Sequence, residues 1–247
     1  MDHIIQAVER AIDTMQNRLG DNLTIDDLAH SAMFSKFHFS RVFQRTTGVS
    51  PGRFLSAMRL AEAKRLLLTT SITVADIGHQ VGYNSVGTFS SRFRSSVGVS
   101  PITYRQLGGV ATRIPDDGRY TTENGTTVVR GRVHGPHGVT LGSVFLGVFP
   151  HRVPEGVPAG HTVLGGPGPY QLPKVPAGTW YLVAYATGAA ADGAEVRYVS
   201  CSGPFPTEAG TAARLVDVRL RPESRMDPPL LLALPDLDGP AELDLAV

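Results

Sequence analysis

Between Lys36 and Leu107 the chain holds ten Lys and Arg against two acidic residues, Glu62 and Asp76. Fixed positive charge at that density suits a polyanion, although a merely solvated face has the same composition. Residues 35–44 set Phe39 and Phe43, four apart, on one side of a helical pattern and Lys36, Phe37, Ser40, Arg41 and Gln44 on the other. A guanidinium such as that of Arg41 can bond two acceptors at once, as on the edge of a guanine. The remaining reactive side chains are sparse. His134, His137, His151 and His161 show no dense ligand spacing, and HGPHG reads as a turn, so no metal site is expected. Cys201 is the sole cysteine, which excludes an intrachain disulfide. No nucleophile elbow, phosphate loop or triad pattern is present, so no catalytic residue and no cofactor is expected.

The elements that position the basic side chains occur twice. TIDDLAHSAMFSKFHFSRVFQRTTGVSP (24–51) and TVADIGHQVGYNSVGTFSSRFRSSVGVSP (73–101) align Thr24 with Thr73, Leu28 with Ile77, His30 with His79, Phe39 with Phe89 and Gly48 with Gly98. Each begins with a threonine-x-x-acid capping box, at Thr24/Asp27 and Thr73/Asp76. A short helix follows, then a tight break, and Ser35 or Ser85 is placed to cap a longer helix. Gly48 and Gly98 stop that helix, each before a Ser-Pro. Short helix, turn and longer helix make a helix-turn-helix, here in duplicate. Ahead of them Ile4, Val8, Ala11, Ile12, Met15 and Leu19 mark a supporting helix. Between them a broadly apolar helix runs from Pro51 to about Thr69, roughly 28 Å long at 1.5 Å per residue. That length approaches the ~34 Å pitch separating major grooves on one face of a duplex. His30 and His79 fall late in the short helices, where a polar ring suits the helix dipole.

Over residues 2–107 the sequence resembles the AraC/XylS family of transcription regulators: the two helix-turn-helix units, the G-V-S-P endings and the closing Pro101, Tyr104 and Arg105 stand in register. The resemblance implies double-stranded promoter DNA as partner. It maps base-touching positions of the first reader onto Phe37, Ser40 and Arg41, with Arg45 toward phosphate and Lys36 on the same side. In the second reader it maps them onto Val86, Gly87, Thr88 and Ser91. The family often has arginine at the place of Ser91; here the arginine is Arg92, displaced by about a quarter turn or more. The first unit is therefore expected to carry most discrimination, and the second to anchor through Thr88, Arg92 and Arg94. Gly87 is expected to weaken its helix by about 1 kcal/mol if interior.

Charge is uneven. Residues 1–107 hold 12 Lys and Arg against 8 acids, and residues 108–247 hold 11 against 14. A glycine-rich polar linker is expected over 108–125, after which the apolar period becomes two. Strands are expected at 126–133, 143–149, 170–172, 179–187, 196–202 and 213–220, making residues 126–247 an all-β antiparallel sandwich behind an all-α domain of residues 1–107. GPYQLPKVPAGTWYLVAYA (168–186) is similar to transthyretin-like or carboxypeptidase-regulatory-like sandwiches, with Trp180 in the core. PPLLLALPDL is expected to form an edge strand or a docking segment between subunits.

The expectation is a cytoplasmic transcription regulator with no signal peptide and no membrane span. Further partners this reading admits are RNA polymerase, a small-molecule or protein effector on the sandwich, and a second copy of the chain. A competing reading is an adaptor whose sandwich only recruits another protein. A DNA-alkylation repair fusion would need several cysteines, and Cys201 alone argues against it.

Overall fold

The computed structural model describes residues 2–110, 120, 127–189, 194–208 and 213–234. The chain divides into two compact units, Met1–Ala111 with Ser224–Ala233 and Thr112–Glu223 with Leu234–Val247.

The helical unit has α1 (Asp2–Asn17), α2 (Ile25–Ser31), α3 (Lys36–Thr47), α4 (Pro51–Thr69), α5 (Val74–Gln80), α6 (Val86–Val97) and α7 (Pro101–Gln106). Local chemistry accounts for the boundaries. Thr24 and Asp27 form a reciprocal capping box at α2, and Thr73 accepts from the Asp76 N–H at α5. Ser85 accepts from the Thr88 N–H, whereas Ser35 holds the N-cap position of α3 without a side-chain bond. Gly48 and Gly98 end α3 and α6 at φ 80 and 95°, where a Cβ is disfavoured. The core is aromatic: Phe39, Phe43, Phe54, Phe89 and Phe93 are all essentially inaccessible. Their rings meet at 5.4 Å for Phe39–Phe43 and Phe43–Phe54, and at 5.8 Å for Phe89–Phe93.

The duplication reaches further than the aligned stretch. Arg10 on α1 and Arg59 on α4 stand 49 positions apart, the same offset as Thr24 and Thr73. Both spend their guanidiniums on backbone carbonyls. Arg10 donates to Ser31 and Ala32, closing the end of α2. Arg59 donates to Leu19 at 2.9 Å and Asp21 at 2.6 Å. On α7, Arg105 donates to Leu67, Thr70 and Ile72 and so caps α4 and the chain beyond it. α4 buries Phe54, Leu55, Ala57, Leu60, Ala63, Leu66 and Leu67, an arc broad enough to touch several neighbours.

Residues 224–233 also pack on the helices. Leu231, Leu232 and Ala233 are buried, the Ala233 N–H donates to Val97, and Arg225 pairs with Asp13 of α1. Residues 224–233 thus dock on their own helical unit, neither as an edge strand nor with the rest of the expected 126–247 domain.

The second unit has β1 (Thr127–His134), β2 (Leu141–Phe149), β3 (Gly160–Leu164), β4 (Pro169–Val175), β5 (Gly178–Ala189), β6 (Glu195–Thr207), β7 (Ala213–Leu215), β8 (Val218–Arg219) and β9 (Arg221–Pro222). One sheet runs β4-β1-β7 with β8 also on β1; the other runs β3-β2-β5-β6-β9. Val129, Val133, Tyr170 and Leu172 from the first share one core with Val144, Leu146, Leu182 and Ala184 from the second. Trp180 lies in that core at 5% exposure, donating to the Pro176 carbonyl and Thr207 hydroxyl. The sheets are not wholly antiparallel, because β7 and β8 run parallel to β1. The strand expected at 213–220 also breaks. The register against β1 is unchanged across the break, but a Cβ on Gly131 would lie 2.2 Å from the Val216 oxygen, and the Asp217 carboxylate accepts the Arg132 N–H at 2.9 Å. β3 and β9 have no counterpart among the expected strands: β3 alternates only weakly between half-buried and exposed, and β9 spans two residues.

Candidate nucleic-acid interface

α3 is two-faced because its apolar residues recur at helical spacing. Phe39, Val42, Phe43 and Thr47 are buried, and the opposite side presents Lys36, Phe37, Arg41, Gln44 and Arg45 to solvent. Phe37 is 82% exposed, an unusual position for a large apolar ring beside two buried phenylalanines. Arg41 and Arg45 make no ion pair among the described residues. Lys36 differs, since its ammonium lies 2.8 Å from Asp26 at the start of α2, so contact with phosphate would require exchanging that partner. Ser40 is half-buried and its hydroxyl donates to the Lys36 carbonyl at 2.9 Å, which leaves lone pairs to accept from an outside donor.

α6 repeats the design with smaller side chains. Phe89, Phe93, Ser96 and Val97 are buried, and Val86, Gly87, Thr88, Ser91 and Arg94 are exposed. Gly87 falls in the first turn, not the interior, so its cost to the helix is reduced from that expected. Arg92 is half-buried, one position round from exposed Ser91. The reading face of α6 therefore offers hydroxyls and a short apolar group where α3 offers a ring and guanidiniums.

The turns of the two units differ in a way the residue types alone did not reveal. Met33 and Gly82 stand at equivalent places and both have positive φ, 57 and 86°. Met33 is 70% exposed, next to the start of α3. Positive φ in the second copy is legible from glycine; in the first only the repeat alignment could have pointed to it. His30 and His79 lie in the last turns of α2 and α5. Among the described residues no cluster of His, Cys, Asp or Glu could hold a metal ion, and no helix is long and apolar enough to cross a membrane. Cys201 is half-buried in β6.

A family model described as a helix-turn-helix domain matches residues 28–107. The chain is 33% identical over 91 residues to the HTH-type transcriptional activator AarP of Providencia stuartii, a match covering 37% of this chain and 67% of that protein. It is 30% identical over 105 residues to the lactose operon transcription activator of Staphylococcus xylosus, covering 42% of this chain and 38% of that one. A crystal structure of a transcriptional regulator with an AraC-type DNA-binding domain, from Chromobacterium violaceum, aligns at 27% identity with a TM-score of 0.41, covering 42% of this chain and 92% of that one. The chain thus spans two thirds of the first relative but under two fifths of the second.

Proposed function

We propose a function from one premise: the chain belongs to the AraC/XylS family of helix-turn-helix transcription regulators. It binds promoter DNA in a sequence-dependent way, with α3 and α6 entering adjacent major grooves and α4 as the rigid spacer. Arg41 reads a base edge, Phe37 meets a thymine methyl, and Ser40 accepts from an exocyclic amine. Lys36 and Arg45 neutralise phosphate, and Val86, Gly87, Thr88 and Ser91 give the second reader shallow contacts, with Arg92 and Arg94 holding backbone. The helical residues 1–107 are the DNA-binding domain, joined through 108–125 to a sandwich of transthyretin-like or carboxypeptidase-regulatory-like type within 126–247. That sandwich receives a small molecule or a protein, and its occupancy shifts the population of DNA-competent chains.

The observation that most supports this reading is the division of α3, with Phe39 and Phe43 sealed and Phe37 82% exposed beside Arg41, which has no ion pair among the described residues. Selecting fragments from a genomic pool with the intact chain tests it. Enrichment of a bipartite site, lost in the Arg41→Ala chain, is expected; enrichment without sequence preference would overturn it.

A further inference from the structure

The outer face of the four-stranded sheet is basic although the sequence around it is acidic. Along β1, Val129 and Val133 turn into the core, and Arg130, Arg132 and His134 stand exposed on the other face. On β8, exposed Arg219 lies directly opposite His134, between buried Val218 and Leu220. Outward positions on a strand are ~6.7 Å apart, so two guanidiniums follow one another along β1 with a third on the neighbouring strand. None of these three arginines has an ion-pair partner among the described residues. Among the described residues the exposed acid beside them is Asp217, whose carboxylate accepts the Arg132 N–H at 2.9 Å and offsets part of their charge. Opposite Arg130 on β4 stands neutral Gln171. Three arginines thus stand on this face against one carboxylate, and the strand partners of Arg130 (Gln171 and Leu215) and of Arg219 (His134) are not acidic.

We infer that this face is a second contact for the DNA backbone, seated on phosphates flanking the site held by α3 and α6. The inference rests on the DNA-binding reading above. Planar guanidiniums match phosphate oxygens and stay charged at any working pH. Residues 108–247 carry a net acidic sequence that repels a duplex, so a patch of arginines with no ion pair among the described residues marks where that part of the chain can approach one. Once the helical unit has bound, the tethered face meets the same duplex at high effective concentration, and weak phosphate bonds then add to affinity.

The test uses the full chain and two duplexes carrying the selected site, one ending at the site and one with an extra helical turn on each side. The readout is the slope of log affinity against log salt. Every phosphate that a basic side chain neutralises steepens that slope by about 0.9. On the long duplex, the chain with Arg130→Ser, Arg132→Ser and Arg219→Ser should be shallower than the parent by about 2–3, with its base preference unchanged. On the short duplex the two should agree, and three Arg→Lys changes should restore most of the slope. Equal slopes on the long duplex, with Arg41→Ala still destroying base preference, would overturn this inference and leave the helical reading intact. Weaker retention of the triple variant on immobilised polyglutamate, without a slope change, would overturn it in favour of an acidic protein partner. If the parent chain shows no base preference that Arg41→Ala removes, the helical reading fails first and the inference with it.

Discussion

The ammonium of Lys64 on α4 lies 3.1 Å from the carbonyl oxygen of Leu231, and within 3.4 Å of those of Leu230 and Leu232. One cation thus gathers three successive carbonyls of a distant segment, while resting 5.6 Å from the centre of the Tyr104 ring. Leu231 and Leu232, both buried, seal the same place with apolar surface.

Leu231→Ala should therefore destabilise the helical unit by about 2–5 kcal/mol, the usual range for a truncated buried leucine. Lys64→Met, which removes a charged donor from three carbonyls, should cost about 1–3 kcal/mol. All the helices among the described residues lie in one unit and the single tryptophan, Trp180, in the other, so far-UV ellipticity follows chiefly the first and indole fluorescence the second. An unshifted ellipticity midpoint for both variants would show that the segment does not dock.

At the interface, Arg41 and Arg45 should separate cleanly. Arg41→Ala is expected to cost about 1–3 kcal/mol at the selected site and to relax preference at one base pair. Arg45→Ala should weaken all duplexes alike and lower the salt slope by about 1. Binding curves on the site and on single-base variants, over a range of salt, distinguish the two; the opposite assignment would appear as base relaxation in Arg45→Ala.

The two turns predict changes of opposite sign. Gly82→Ala places a Cβ at φ 86°, 2.7 Å from the Leu19 carbonyl and 2.8 Å from the Arg59 guanidinium, so the variant should lose more than about 1 kcal/mol. Met33→Gly removes a side chain from φ 57°, a gain of about 1–2 kcal/mol, less about 0.4–1 for the freer unfolded chain. A small net stabilisation is expected, read as a higher denaturant midpoint, and a lower midpoint for Met33→Gly would mean that its exposed side chain is held by neighbours.

Burial pushes the Tyr104 hydroxyl up to about 12 from its ordinary value of 10.0. The folded chain keeps a proton that the unfolded chain releases, so this contribution is complete below pH 10 and is lost as pH rises through 12. In Tyr104→Phe the fall in helical stability over that window should be shallower. Parallel slopes for the two proteins, measured by ellipticity against denaturant, would assign the alkaline loss elsewhere.

Much of the helical unit was legible because its signals are local. Thr24, Thr73, Gly48 and Gly98 announce their own backbone geometry, and Phe39 with Phe43 gives the inward side of α3, which leaves the outward side by subtraction. The Lys36–Asp26 pair and the Ser40 bond to its own helix were not legible, since both depend on rotamers. In the β unit, period-two alternation located the long strands. Asp217 replacing a backbone acceptor, and the parallel run of β7 and β8 along β1, depend on long-range pairing that no local pattern encodes. The tail was illegible for the same reason: PPLLLALPDL shows that apolar surface must be covered, and only Lys64, Val97 and Asp13 show what covers it.

The chain leaves the helical unit at Ala111 and returns to it for Ser224–Ala233, so Thr112–Glu223 is inserted between two parts of that unit. Folding of the insert shortens the free chain that joins the two parts of the helical unit. Were it to melt, docking Leu231 would mean closing a floppy loop of about 110 residues, at an entropic cost of ~4 kcal/mol. Anything that tightens the insert therefore also strengthens the grip of Lys64, and chain connectivity couples the stabilities of the two units.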